Sequence, residues 1–105
     1  MYQFIVTLLP FIFRVRVMPD GCVRIVLSWR TTETEYNHFP RIPWTSFGMD
    51  GVYSRYSAND RRYFSICVYM SAEKFGTTEL YEWACNYRNE FKRVCAAYAP
   101  ALSIV

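Results

Sequence analysis

Arginine is the residue with the clearest potential for chemistry in this chain. Twelve residues are basic, and all but Lys74 and Lys92 are Arg. A guanidinium is always charged and presents a fixed fork of donors that fits carboxylates and phosphates. Arg14, Arg16 and Arg24 lie in two stretches that read as strands, while Arg55, Arg61 and Arg62 flank the polar turn SANDRR, with Tyr63 and Tyr69 following. Basic and aromatic side chains interleaved in this way can hold phosphates and stack on bases, or anchor a protein interface. These eight residues form the candidate partner-binding set.

Other chemistries lack their residues. Paired carboxylates, a nucleophile with its base and a phosphate-binding loop are all missing, and His38 stands alone, so no enzymatic activity is expected. The four cysteines, Cys22, Cys67, Cys85 and Cys95, show no CxxC spacing, which leaves no metal site or cofactor to expect. Cys85 and Cys95 fall ten residues apart on one predicted helix. At ~1.5 Å per residue they stand about 15 Å apart and cannot bridge each other. Buried free thiols in a reducing cytoplasm are the expectation.

The element that must position these groups is the stretch from Thr77 to Tyr98. Leu80, Trp83, Ala84, Tyr87, Phe91, Val94, Cys95 and Tyr98 recur at helical spacing and make one apolar stripe. Thr77 or Thr78 is the expected N-cap, and Pro100 the stop. Trp83 and Tyr87 are expected to be largely buried.

Residues 2 to 9 read as a strand ended by Pro10. Phe11 to Val17 and Cys22 to Trp29 read as a hairpin around Met18-Pro19-Asp20-Gly21, a type I turn with Gly in the left-handed position. Pairing Met18 with Cys22 sets Arg16 opposite Arg24 and Phe11 opposite Trp29. One face is then wholly apolar, and the other carries Ile12, Arg14, Arg16, Arg24, Val26 and Ser28. Residues 30 to 50 lose period and read as a long loop hiding a short helix or a functional excursion, anchored by Tyr36, His38, Phe39, Trp44 and Phe47. Gly51 to Tyr56 and Tyr63 to Met70 read as a second hairpin. Phe64, Ile66, Val68 and Met70 should face the helix, with Tyr63 and Tyr69 on the other side near Arg55, Arg61 and Arg62. The tail ALSIV should dock on the core or add an edge strand.

From Gly51 to Tyr98 the order of features resembles the small DNA-binding domains of plant ethylene-response factors, phage homing endonucleases and integrase arm-binding regions. The resemblance rests on the Gly51-Val52 strand start, the alternating strand Tyr63 to Met70, the Phe75-Gly76-Thr77 step and the helix Leu80 to Phe91. It implies a three-stranded antiparallel sheet against one helix, with sheet side chains entering the DNA major groove. Arg55, Arg61, Arg62 and Tyr63 would be the counterparts. Tyr63 and Phe64 stand where that family carries a middle-strand tryptophan, and residues 1 to 50 lie outside the match.

At 105 residues the chain is expected to be a single α+β domain spanning residues 1 to 105: an antiparallel sheet of four to five strands packed on one long C-terminal helix. A net charge of +3 permits an anionic partner without demanding one. Aromatics at 19% exceed the needs of a small core and point to a contact face. The expected function is a non-enzymatic binding module, such as a phage-encoded inhibitor of the anti-CRISPR kind or an adaptor, docking on a larger protein or nucleoprotein complex. The alternative is a sequence-tolerant DNA-binding module using the outer sheet face. No membrane association is expected, because the apolar opening is too short to span a bilayer. The N-terminal strand and the tail are candidate edges for a homodimer.

Overall fold

Period-two alternation in both halves of the chain, followed by period 3.6 in the last quarter, dictates a sheet with one helix across it. The computed structural model describes residues 2–47, 51–74 and 76–102. Five strands, β1 (Tyr2–Leu8), β2 (Phe11–Val17), β3 (Cys22–Arg30), β4 (Val52–Ala58) and β5 (Arg61–Ser71), form one antiparallel sheet in the order β1-β2-β3-β5-β4. Two helices join them, α1 (Glu33–His38) and the long α2 (Thr77–Leu102). The α+β architecture is the expected one.

The central hairpin follows its turn chemistry. Gly21 takes φ +86°, its N–H donates to Met18 O at 3.1 Å, and Met18 N donates to Cys22 O at 2.8 Å. The Asp20 carboxylate accepts from Cys22 N at 3.0 Å and closes the turn. Arg16 therefore stands opposite Arg24, and Phe11 opposite Trp29. The second hairpin is tighter than its polar sequence implies. Asn59 and Asp60 both take positive φ (52° and 62°), so they alone make a primed two-residue turn, and the strands extend to Ala58 and from Arg61 rather than stopping at Tyr56 and Tyr63. Asn and Asp tolerate the left-handed region at the least cost among non-glycine residues.

The segment expected as a long loop is folded. Thr32 Oγ1 accepts from Glu35 N at 3.1 Å and Glu35 Oε1 accepts from Thr32 N at 2.9 Å, a reciprocal capping box that starts α1. Two 3-10 turns follow, Phe39–Arg41 and Trp44–Phe47, and they bury Phe39, Ile42 and Phe47. Residues 48–50, Phe75 and residues 103–105 of the tail lie outside the described residues, as does the Trp44 side chain. Residues 101 and 102 of the tail continue α2. Pro100 thus does not end the helix: near its last turn the missing N–H leaves only the Ala96 carbonyl without its intrahelical donor. At the other end Gly76, not a threonine, holds the N-cap position. Its carbonyl accepts from Leu80 N at 2.8 Å, and the Glu79 carboxylate folds back over it.

The core lies between α2 and the inner face of the sheet. Phe11, Phe13, Val15, Val23, Ile25, Leu27, Trp29, Phe64, Ile66 and Val68 come from the strands, and Leu80, Ala84, Phe91, Val94 and Cys95 from α2. Phe91 is its hub, with ring centroids 4.4 Å from Phe64, 5.5 Å from Trp29, 5.8 Å from Phe47 and 5.9 Å from Phe39. Trp83 and Tyr87, expected to be largely buried, are only half-buried. They pack on each other at 4.8 Å on the flank of the stripe, because the helix turns Phe91 and Ala84 toward the strands. Phe91→Ala is therefore expected to cost about 3 to 5 kcal/mol in urea unfolding and Trp83→Ala roughly 1 to 2, with a cavity forming only at the first site. Equal losses would show that the stripe faces elsewhere.

Candidate partner-binding face

The strand register turns the outer face of the sheet into a lattice of rows. One row runs Gln3, Arg16, Arg24, Tyr69, and the next Ile5, Arg14, Val26, Cys67, Val52. A third row holds Thr7, Ile12, Ser28, Ser65 and Ser54, and a fourth Arg30, Tyr63 and Tyr56, with Arg61 opposite Ala58 beyond it. Ser28 and Ser65 are small enough to be buried at the bottom of the lattice by their neighbours. Ile5, Val52 and Tyr69 stand out from it at 65%, 76% and 63% exposure.

Charge is segregated across the sheet. Among the described residues no Asp or Glu stands on this outer face, which carries Arg14, Arg16, Arg24, Arg30 and Arg61. The acids lie in the turns (Asp20, Asp60), in α1 (Glu33, Glu35), just after β5 (Glu73) and on α2 (Glu79, Glu82, Glu90). Arg14, Arg24, Arg30 and Arg61 make no ion pair among the described residues. Placing Arg16 across from Arg24 is unfavourable for the isolated sheet.

The candidate residues do not all meet. Arg14, Arg16, Arg24 and Tyr69 share two adjoining rows, and Tyr63 and Arg61 occupy the far end of the same face. Arg55 and Arg62 belong to the opposite, helix-bearing side. There Arg55 lies across from Phe64 and Arg62 from Ser57. Arg55 Nη1 donates to Tyr36 O at 2.6 Å, and its guanidinium carbon lies 4.5 Å from the Tyr36 ring centre. Arg62 covers the same ring at 5.2 Å and donates to Ser57 Oγ at 3.0 Å. These two arginines clamp α1 to the sheet through its tyrosine and leave the outer face to the others. Arg62 sits one residue out of step with Tyr63, and Arg55 one residue out of step with Tyr56, the cross-strand partner of Tyr63, which is the physical reason for the correction. Tyr63 itself stacks on Tyr56 at 4.9 Å with the rings 10° from parallel.

Sequence reasoning set Val26 on the face of Arg14, Arg16 and Arg24 and named Tyr69, but it missed Ile5, Val52, Trp83 and Tyr87 beside them. Ile5 and Val26 line an open depression with Gln3, Arg14, Arg16 and Arg24. Arg24 also borders a second hollow, which wraps around the sheet past Val52, Tyr69 and Met70 to Trp83 and Tyr87. Arg24 thus connects a basic depression with an aromatic rim. The missing signal was the β3–β5 pairing, which sets Tyr69 opposite Arg24 across a long crossover that no local turn specifies.

One other cluster resembles a catalytic arrangement. His38, Glu35, Lys92 and Cys95 line a small hollow between α1 and α2. Glu35, however, is engaged twice, accepting from Thr32 N and pairing with Lys92 Nζ at 3.1 Å. Burial, reinforced by the Glu35 carboxylate and opposed by Lys92, pushes the Cys95 thiol up to about 11. At neutral pH it is a protonated thiol and a poor nucleophile. All four cysteines are free, Cys95 buried and the other three half-buried rather than fully enclosed. Among the described residues no group of three potential metal ligands converges, and no helix is long and apolar enough to cross a membrane.

The raised thiol ties stability to alkaline pH. Folding favours the protonated form, so the contribution is complete below the ordinary value of 9.0 and is lost as pH rises toward about 11. Urea unfolding should therefore show the native protein losing roughly 2 to 3 kcal/mol more than Cys95→Ala between about pH 8 and pH 11. Parallel pH profiles for the two proteins would remove burial as the cause of the shift. Comparison with protein-family models, with curated proteins and with solved structures finds no match to this chain.

Proposed function

We propose that the protein is a non-enzymatic binding module that docks its outer sheet face and aromatic rim on an acidic protein surface, as an inhibitor or adaptor would. The observation that carries this reading is the position of Arg24 between the arginine rows, which hold no carboxylate among the described residues, and the hollow bordered by Val52, Tyr69, Trp83 and Tyr87. Arginine next to half-exposed Trp and Tyr is the composition of interface hot spots, where a desolvated aromatic anchor supplies most of the affinity. An acidic partner supplies a counter-charge to Arg14 and Arg24, which make no ion pair among the described residues. Exposed aliphatics among the arginines fit a protein better than a nucleic acid, which presents phosphates and base edges to such a face. The stacking of Tyr63 on Tyr56 also occupies the ring that a base would use. Four free thiols fit residence in a reducing cytoplasm.

Capture from the native host with and without nuclease, followed by calorimetry on the purified partner, tests the reading. Arg16→Glu with Arg24→Glu should keep the fold, since both side chains leave the sheet away from the core. It should weaken binding by roughly a hundredfold or more, and Trp83→Ala should weaken it with little salt dependence. Recovery that nuclease abolishes, with affinity falling by ~0.9 in log-log slope for each phosphate neutralised, would transfer the face to DNA. Undiminished binding by the folded charge-reversed protein would move the functional surface elsewhere.

A further inference from the structure

The two borders of the sheet are built differently. β4 carries Arg55 on its inner side, held over Tyr36, an inward-pointing charge of the kind that discourages edge-to-edge pairing. β1 has no such device. Its sequence YQFIVTL holds no charge, no proline and no glycine, it pairs residue for residue with β2 without a bulge, and among the described residues no strand lies on its other side. Ile5, in the middle of that border, is 65% exposed. An uncharged, regular seven-residue edge with an exposed aliphatic centre is a template for another strand.

The backbone direction can be derived from the hairpin. Met18 N bonds Cys22 O, so the even-numbered residues of β2 direct their N–H and C=O groups toward β3 and the odd-numbered ones toward β1. Phe11, Phe13 and Val15 thus bond Leu8, Val6 and Phe4. That leaves the backbone groups of Gln3, Ile5 and Thr7 directed outward along the border.

We propose that two copies of this chain join β1 to β1, antiparallel about a two-fold axis at Ile5, into one continuous sheet. In that register Ile5 meets Ile5 of the second copy, Gln3 meets its Thr7 and Phe4 meets its Val6. Polar residues face each other on the outer side, apolar ones on the inner side, and every outward backbone group at these positions finds its complement. Among the described residues the nearest charges are the Arg14 residues in the same row as Ile5. They stand three strand spacings apart, about 14 Å, which exceeds the ~8 Å screening length at physiological salt. A second copy satisfies this border on both faces, whereas a charged strand from another protein would match neither. The joined sheet aligns the arginine rows of both copies on one surface, yet the assembly stands or falls independently of what that surface binds.

Light scattering and sedimentation equilibrium on the full chain at micromolar concentration test the assembly. The expected mass is twice the 12.5 kDa of one chain. Ile5→Lys, which sets two ammonium groups face to face on the axis, should yield the mass of one chain with an unchanged circular dichroism spectrum. Thr7→Pro, which removes an outward N–H but no bond to β2, should do the same. Arg16→Glu with Arg24→Glu should leave the doubled mass in place, separating this border from the partner-binding face. A native protein of single-chain mass, including one whose β1 is occupied only by a partner's strand, overturns the proposal. So does a doubled mass that survives folded Ile5→Lys.

Discussion

The structure depends on one aromatic ring. Phe91 contacts Trp29 on β3, Phe64 on β5, and Phe39 and Phe47 from the two 3-10 turns, so strands, crossover and helix converge on a single side chain. Trp29 in turn stacks on Phe64 at 4.7 Å and meets Phe11 edge-on at 6.2 Å, which carries the packing to β2. Large rings provide this reach because each buries much apolar area with few rotatable bonds. The same packing explains why Trp83 and Tyr87 remain half-exposed: a helix rotated to seat Phe91 cannot also bury residues on its flank.

With one helix covering one face, the alternation of the strands leaves the outer face to bear whatever the inner one excludes. Arg14, Arg16 and Arg24 are forced outward together by the apolar residues between them, and the acids collect on the helices and in the turns. The result is a molecule with two electrostatic sides despite a net charge of only +3. Arg55 and Arg62 escape this sorting because the border of the sheet is open enough for an arginine to reach past the core and cover Tyr36.

The parts legible in the sequence were those with local causes. The Pro19-Asp20-Gly21 turn fixed a register that the structure reproduces pair by pair, and the spacing from Leu80 to Cys95 located the helix. The capping box at Thr32 and Glu35 was equally local, but six residues are too few for a visible apolar period, so α1 was hidden in an apparent loop. Asn59-Asp60 was obscured by polar neighbours that make a longer turn look plausible. The candidate site was half legible: parity assigns Arg14, Arg16, Arg24 and Tyr69 to one face. Their association with Val52, Trp83 and Tyr87 depends on β3 pairing with β5 and on the helix rotation, both products of long-range packing that no short window encodes.

The opposed Arg16 and Arg24 have a consequence during synthesis. β1, β2 and β3 leave the ribosome well before β5 and α2, so the apolar sheet face that Phe91 will later cover is exposed on a nascent three-stranded meander. Three arginines on the reverse of that meander give it a dense positive charge at its most vulnerable moment. Like-charge repulsion between nascent chains then acts as a gatekeeper against stacking and aggregation. Charge that lies along one face of the finished fold thereby protects the unfinished one.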